Sequence, residues 1–264
     1  MACDYPRLPS DRGPGVTPDD VVRRTRHVVT GVGAAFGSDP RHAVRGQRLG
    51  LSRWPFYFGG RGGVLGDVDA DVVTAACGFF APDLVREAWS TARAAAPLAV
   101  IVRADIEECL HWARKVYGGL AGLERLAYLA EQVVEAAPPA GRPLFAAWRS
   151  YAAPADDPVT RVALALLRLR EHRGGSHLIA VLDSGLTPLT AILAGPGPGK
   201  AEANGWRPPW PAVPQSATAA LAEAERLTDA LSAAPYASLS QEERIEFIDL
   251  LDQVNDAYQR FRQG

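Results

Sequence analysis

VTRVALALLRLREHRGGSHLIAVLDSGLTPLTAIL, residues 159–193, is the stretch on which the fold turns. Its first half is an apolar run with helical spacing and almost no polar relief. A segment apolar on every side reads as a buried core helix. The run meets Glu171-His172-Arg173-Gly174-Gly175-Ser176-His177, and a second apolar helix follows. The two glycines predict a break there, with two of the five histidines, two arginines and a carboxylate crowded at the junction. Buried polar groups need hydrogen-bond partners or a ligand. The junction is therefore the candidate site.

Working outward, the pattern is helix after helix. Pro18-Asp19-Asp20 opens one, with acidic residues in its first turn. Asp69 and Pro82 mark further starts, and apolar residues at i, i+3, i+4 and i+7 recur through residues 98–136. Ala155-Asp156-Asp157-Pro158 caps the central helix, and Ser240-Gln241-Glu242-Glu243 resembles a capping box. The expected fold is mainly α, a multi-helix bundle. Its organisation is an arm over 1–17, a helical ligand-binding domain over 18–195, a Pro/Gly/Trp linker over 196–214 and a C-terminal helix pair over 215–264.

A chain of 264 residues can bury a sizeable core. Its net charge of −2 argues against a dominant nucleic-acid footprint, so no nucleic-acid partner is expected. Cys3, Cys77 and Cys109 are scattered, which suits a reducing cytoplasm better than a disulfide frame or zinc ribbon. No run of 18 apolar residues is present, so no membrane span is expected.

Known catalytic signatures fail on spacing. HExxH is absent, and His172 and His177 lie five apart, which does not stack them on one helix face. No metal and no other cofactor is expected. The G-x-S-x-G elbow and the dinucleotide GxGxxG are missing, and the Gly195–Lys200 region has alanine where a P-loop needs glycine and Ser/Thr. What remains is an anion-and-proton site. Arg173 and Arg61 would hold an anion by forked hydrogen bonds. His172 or His177 would move a proton, and Glu171 and Asp183 would accept one or orient an imidazole. Arg61 sits in Gly59-Gly60-Arg61-Gly62-Gly63, read as a flexible loop beside Tyr57 and Phe58. Trp206 either lines the pocket or pins the linker to the core. The alternative is a buried ion network, Glu171 with Arg170 or Arg173, that only fixes the helix junction.

Several motifs together resemble an actinobacterial winged-helix-like family. They are Tyr57-Phe58-Gly59-Gly60-Arg61 with Leu65-Gly66, Gly78-Phe79-Phe80-Ala81-Pro82, and Glu171-His172-Arg173-Gly174 with His177. Ser184-Gly185-Leu186, Gly205-Trp206 with Trp210, and Thr228-Asp229-Ala230-Leu231 with Pro235-Tyr236 complete the series. The resemblance implies a winged-helix segment after the tryptophan motif, but here Pro208-Pro209-Trp210-Pro211 runs almost directly into the next helix. The expectation is thus a reduced winged-helix-like C-terminal part. The chain is also similar, more distantly, to one subunit of azinomycin-type aziridine-forming enzymes. That resemblance implies a metal-independent biosynthetic enzyme subunit working with a second, related protein subunit. It would close a ring on a small-molecule substrate by internal amine attack with loss of sulfate. The alternatives are a ligand-sensing transcriptional regulator and a non-catalytic partner subunit.

Overall fold

The computed structural model describes residues 15–152 and 157–263; the arm expected over 1–17 lies mostly outside them. Among the described residues the chain is helical, without a strand. In order come α1 (Pro18–Ala35), α2 (Pro40–Arg48), α3 (Arg53–Gly62), α4 (Ala70–Cys77), α5 (Pro82–Ala95), α6 (Leu98–Tyr117) and α7 (Leu123–Ala136). They are followed by α8 (Pro143–Ser150), α9 (Pro158–Asp183), α10 (Pro188–Ala194), α11 (Pro198–Ala203), α12 (Ala217–Ala233) and α13 (Gln241–Gln263). The mainly α, multi-helix fold expected from the sequence is the fold adopted. Residues 207–216 carry neither helix nor strand, so no wing stands there.

The starts follow local chemistry. Thr17 and Asp20 form a reciprocal capping box at α1. Asp157 caps α9 through Thr160 N with Pro158 in the first turn. Ser240 and Glu243 exchange bonds at the start of α13, 2.9 and 3.2 Å.

α9 is the axis of the molecule. Its 26 residues pack against α12, α7, α1, α8 and α6. Residues 162–167 are buried without a gap, as a helix surrounded on all sides requires. The break expected at Gly174-Gly175 is absent, and the helix runs through both glycines to Asp183. The reason is tertiary. Neighbouring helices hold α9 straight, and a Cβ on Gly175 would stand 2.8 Å from Cγ of Arg142. The real turn comes later, at residues 184–187, where Gly185 takes φ +74°. There α9 and α10 meet at 93°.

The glycines around Arg61 are helical too. Gly59, Gly60 and Gly62 lie inside α3, correcting the loop expected there. They are close-approach glycines rather than hinges. Cβ atoms at Gly59 and Gly60 would meet Ile101 at 2.9 Å and Asp105 at 2.6 Å on α6. Gly60→Ala is expected to cost about 1–3 kcal/mol, because the overpacking outweighs alanine's helix preference of about 1 kcal/mol. Urea unfolding measures this; a stabilised variant would mean that α6 yields freely.

No single described helix is long and apolar enough to cross a membrane; α9 and α10 qualify only as a sharply bent pair, and half of the α9 residues are buried in the fold.

Candidate functional site

The site grows from the middle of α9. Glu171 is 2% exposed and accepts both arms of the Arg61 fork, Nε and Nη2, each at 2.8 Å. Arg170 adds a third bond to the same carboxylate, from Nη1 at 2.6 Å. Arg61 also donates to the Tyr57 hydroxyl one turn earlier on α3, 3.0 Å. Burial alone would raise the Glu171 pKa, but the charges of Arg61 and Arg170 outweigh it and hold the carboxyl below its usual range. Two guanidinium groups share one carboxylate, so the cluster keeps one positive charge.

A residue outside the sequence-derived set extends that charge. Arg142, just ahead of α8, is 6% exposed. It donates to Ser176 Oγ at 2.9 Å and to the Ala140 and Pro138 carbonyl oxygens at 2.8 and 3.4 Å. Among the described residues it has no carboxylate partner. Burial without a counter-ion lowers its pKa. An unpaired buried arginine is uncommon. Nothing local signals it, since its Ser176 partner is 34 residues away.

These cations line a cleft of about 300 Å³, with Lys200 at its edge and Tyr57, Phe79 and Phe80 as aromatic walls. A second lobe of about 410 Å³ holds Arg26, His27, Arg173 and Glu225. Arg61, Arg170, Gly174 and His177 line both lobes. His177 stands at the seam, its ring stacked on Phe79 at 5.3 Å and 20°. Burial chiefly, with help from Arg173, lowers its pKa against the opposing pull of Glu225.

The cleft thus gathers Tyr57, Arg61, Glu171, Arg173 and His177 of the expected set. Arg173 is largely engaged, bonding Asp229 at 2.9 Å and Glu225 at 3.1 Å on α12. Trp206 pins rather than lines. Its indole N–H bonds the Phe79 carbonyl oxygen at 3.1 Å, beside a bond from Asn204 at 3.0 Å. Asp183 is exposed at the end of α9, away from the cleft. His172 faces the other way. It is 2% exposed, edge-on to Phe145 at 5.0 Å, beside a cavity of about 20 Å³ shared with Thr25, Ser232 and Tyr236. Burial, then the Arg142 charge, lowers its pKa to about 4. The ion network allowed as an alternative is present for Glu171, with Arg170 and with the unforeseen partner Arg61, not with Arg173. Among the described residues no three His, Cys, Asp or Glu side chains gather as a metal-ligand set.

The depressed His172 pKa predicts a pH dependence. The folded state resists protonation that the unfolded chain accepts near 6.5. Its stability contribution is therefore complete above about 6.5 and is lost as pH falls toward 4. The loss is about 3 kcal/mol at most. Urea midpoints should fall over that window and flatten in His172→Phe; an unchanged slope would place the acid sensitivity elsewhere.

Among the described residues, whose regular elements are all helical, two helices set at 93° across a four-residue glycine turn have the geometry of a helix–turn–helix. A family model described as a helix-turn-helix family matches residues 22–261. The chain belongs to that family. No curated protein and no solved structure matches it.

Proposed function

We propose that this protein binds a small anionic molecule in the cleft over α9 and acts as a ligand-sensing regulator of the helix-turn-helix type. The observation that carries the binding half is Arg142, a buried cation with no carboxylate partner among the described residues, facing a chamber already positive through Arg61 and Arg170. A carboxylate, phosphate or sulfate group supplies the missing countercharge through forked, charge-assisted bonds. The aromatic walls take an apolar portion. The family supports the regulatory half.

One observation favours a second reading. α10, the short helix after the turn, carries Leu189, Thr190, Ile192 and Leu193 and neither arginine nor lysine, and no wing stands among the described residues. That surface is poor for reading base edges. On the second reading the chain is a biosynthetic enzyme subunit acting with a partner. A neutral amine attacks the carbon that bears a sulfate ester. The C–N bond forms as the C–O bond breaks, sulfate leaves with the electron pair toward the arginines, and His177 takes the ammonium proton.

Co-purification with the products of neighbouring genes, followed by a gel-shift on the adjacent promoter, separates the two. A salt-dependent shift that an anionic metabolite reverses supports the regulator. A stoichiometric protein partner, no shift, and sulfate release from a sulfated amine support the enzyme.

A further inference from the structure

We propose that the ligand of this cleft carries an N–H or O–H donor beside its anionic group, received by His177 Nε2, and that Thr228 is the positioning residue that leaves this nitrogen bare. The inference rests on the anionic-cleft reading and narrows it to hydroxy or amino acids and hydroxylated or amino phosphate and sulfate esters.

The position of one proton decides which imidazole nitrogen is bare. The Thr228 hydroxyl sits on α12 and donates to the Ala224 carbonyl oxygen at 2.6 Å. A hydroxyl has a single hydrogen. At its 3.0 Å contact with His177 Nδ1, the Thr228 oxygen therefore acts as acceptor, and Nδ1 carries the proton. Glu225 Oε1, 3.5 Å from the same nitrogen, is a second acceptor on that side. A neutral imidazole has only one N–H, so Nε2 presents a lone pair. That nitrogen has no partner among the described residues, and the side chain is 26% exposed at the seam of the two lobes.

The groups around the ring set the complement. Arg61 and Arg170 face it from α3 and α9, Lys200 from α11, and Arg173 and Glu225 from the α9–α12 side. The arginines call for an anion, while the bare lone pair repels one and calls for a donor. A simple anion satisfies only half of the surface. An anion with a neighbouring hydroxyl or amine satisfies both.

The test uses the full chain and two probes, ethyl phosphate and 2-hydroxyethyl phosphate, which differ by one hydroxyl. Calorimetry should give tighter binding of the hydroxylated ester by roughly tenfold. Thr228→Val, which leaves only the more distant Glu225 carboxylate to hold the Nδ1 proton, should reduce that preference and leave ethyl phosphate binding unchanged, and Thr228→Ser should restore it. Nitrogen-15 NMR of the unliganded wild-type protein at neutral pH should show His177 protonated on Nδ1. This measurement stands even if Thr228→Val fails to fold. An Nε2–H tautomer, or equal affinity for the two esters, overturns this inference and leaves the anionic cleft intact. If neither ester binds, the anionic-cleft reading falls and takes this inference with it.

Discussion

Glu171→Ala is expected to cost about 3–5 kcal/mol of folding stability. The carboxylate is the shared acceptor of Arg61 and Arg170, and the Arg61 side chain is only 15% exposed. Without it, Arg61 keeps its charge in a low-dielectric setting with Tyr57 as its nearest polar neighbour. The penalty is the desolvation of a stranded guanidinium, which exceeds the net worth of the pair. In thermal unfolding the midpoint should drop by roughly 10 °C. The double variant Arg61→Met with Glu171→Leu should recover the Arg61 share of the loss, because that pair of charges leaves together while Arg170, with its side chain 22% exposed, turns to solvent. A loss below about 1 kcal/mol for Glu171→Ala would show that water reaches Arg61 and that the cluster does not hold α3 against α9.

Arg142→Met separates binding from folding in the opposite sense. Calorimetry with inorganic phosphate should show affinity falling roughly tenfold to hundredfold, the worth of a charged hydrogen bond. Stability should hold steady or rise, because the variant removes a buried charge with no counter-ion among the described residues. Methionine retains most of the apolar stem that packs along Gly175. Ser176 is not orphaned either, since its hydroxyl still donates to the His172 carbonyl oxygen at 2.9 Å. Unchanged phosphate affinity would remove Arg142 from the site, whereas a large loss of stability would make it structural.

The cleft divides its labour between wall and charge. Glu171 and Arg61, both nominated from sequence, build the wall. Arg142, which the sequence did not single out, supplies charge with no internal partner. His177 stands where both lobes meet, and His172 lies buried on the far side of the same helix. Five residues of helix turn a side chain by roughly 140° from its neighbour, so one continuous helix separates the two histidines. Only a break between them would have brought them together.

The long helices and the starts at Pro18, Pro158 and Gln241 were legible locally, because capping and amphipathic packing are short-range, whereas α3 reads as a loop and α11 lies inside the expected linker. Thr17 reaches Asp20, Asp157 reaches Thr160, and Ser240 reaches Glu243, each within one turn. The sequence by itself also singled out Glu171-His172-Arg173-Gly174-Gly175-Ser176-His177 as polar chemistry set in a core helix. The tertiary structure alone decided what the glycines do. Gly59, Gly60 and Gly175 serve close packing against side chains far away in the chain, and nothing in the local spelling distinguishes such a glycine from a hinge. It decided likewise that Arg61 pairs with Glu171 across 110 residues and that Arg142 finds no carboxylate among the described residues. Local propensity cannot count charges that meet only after folding, and the balance of those charges is what makes the cleft positive.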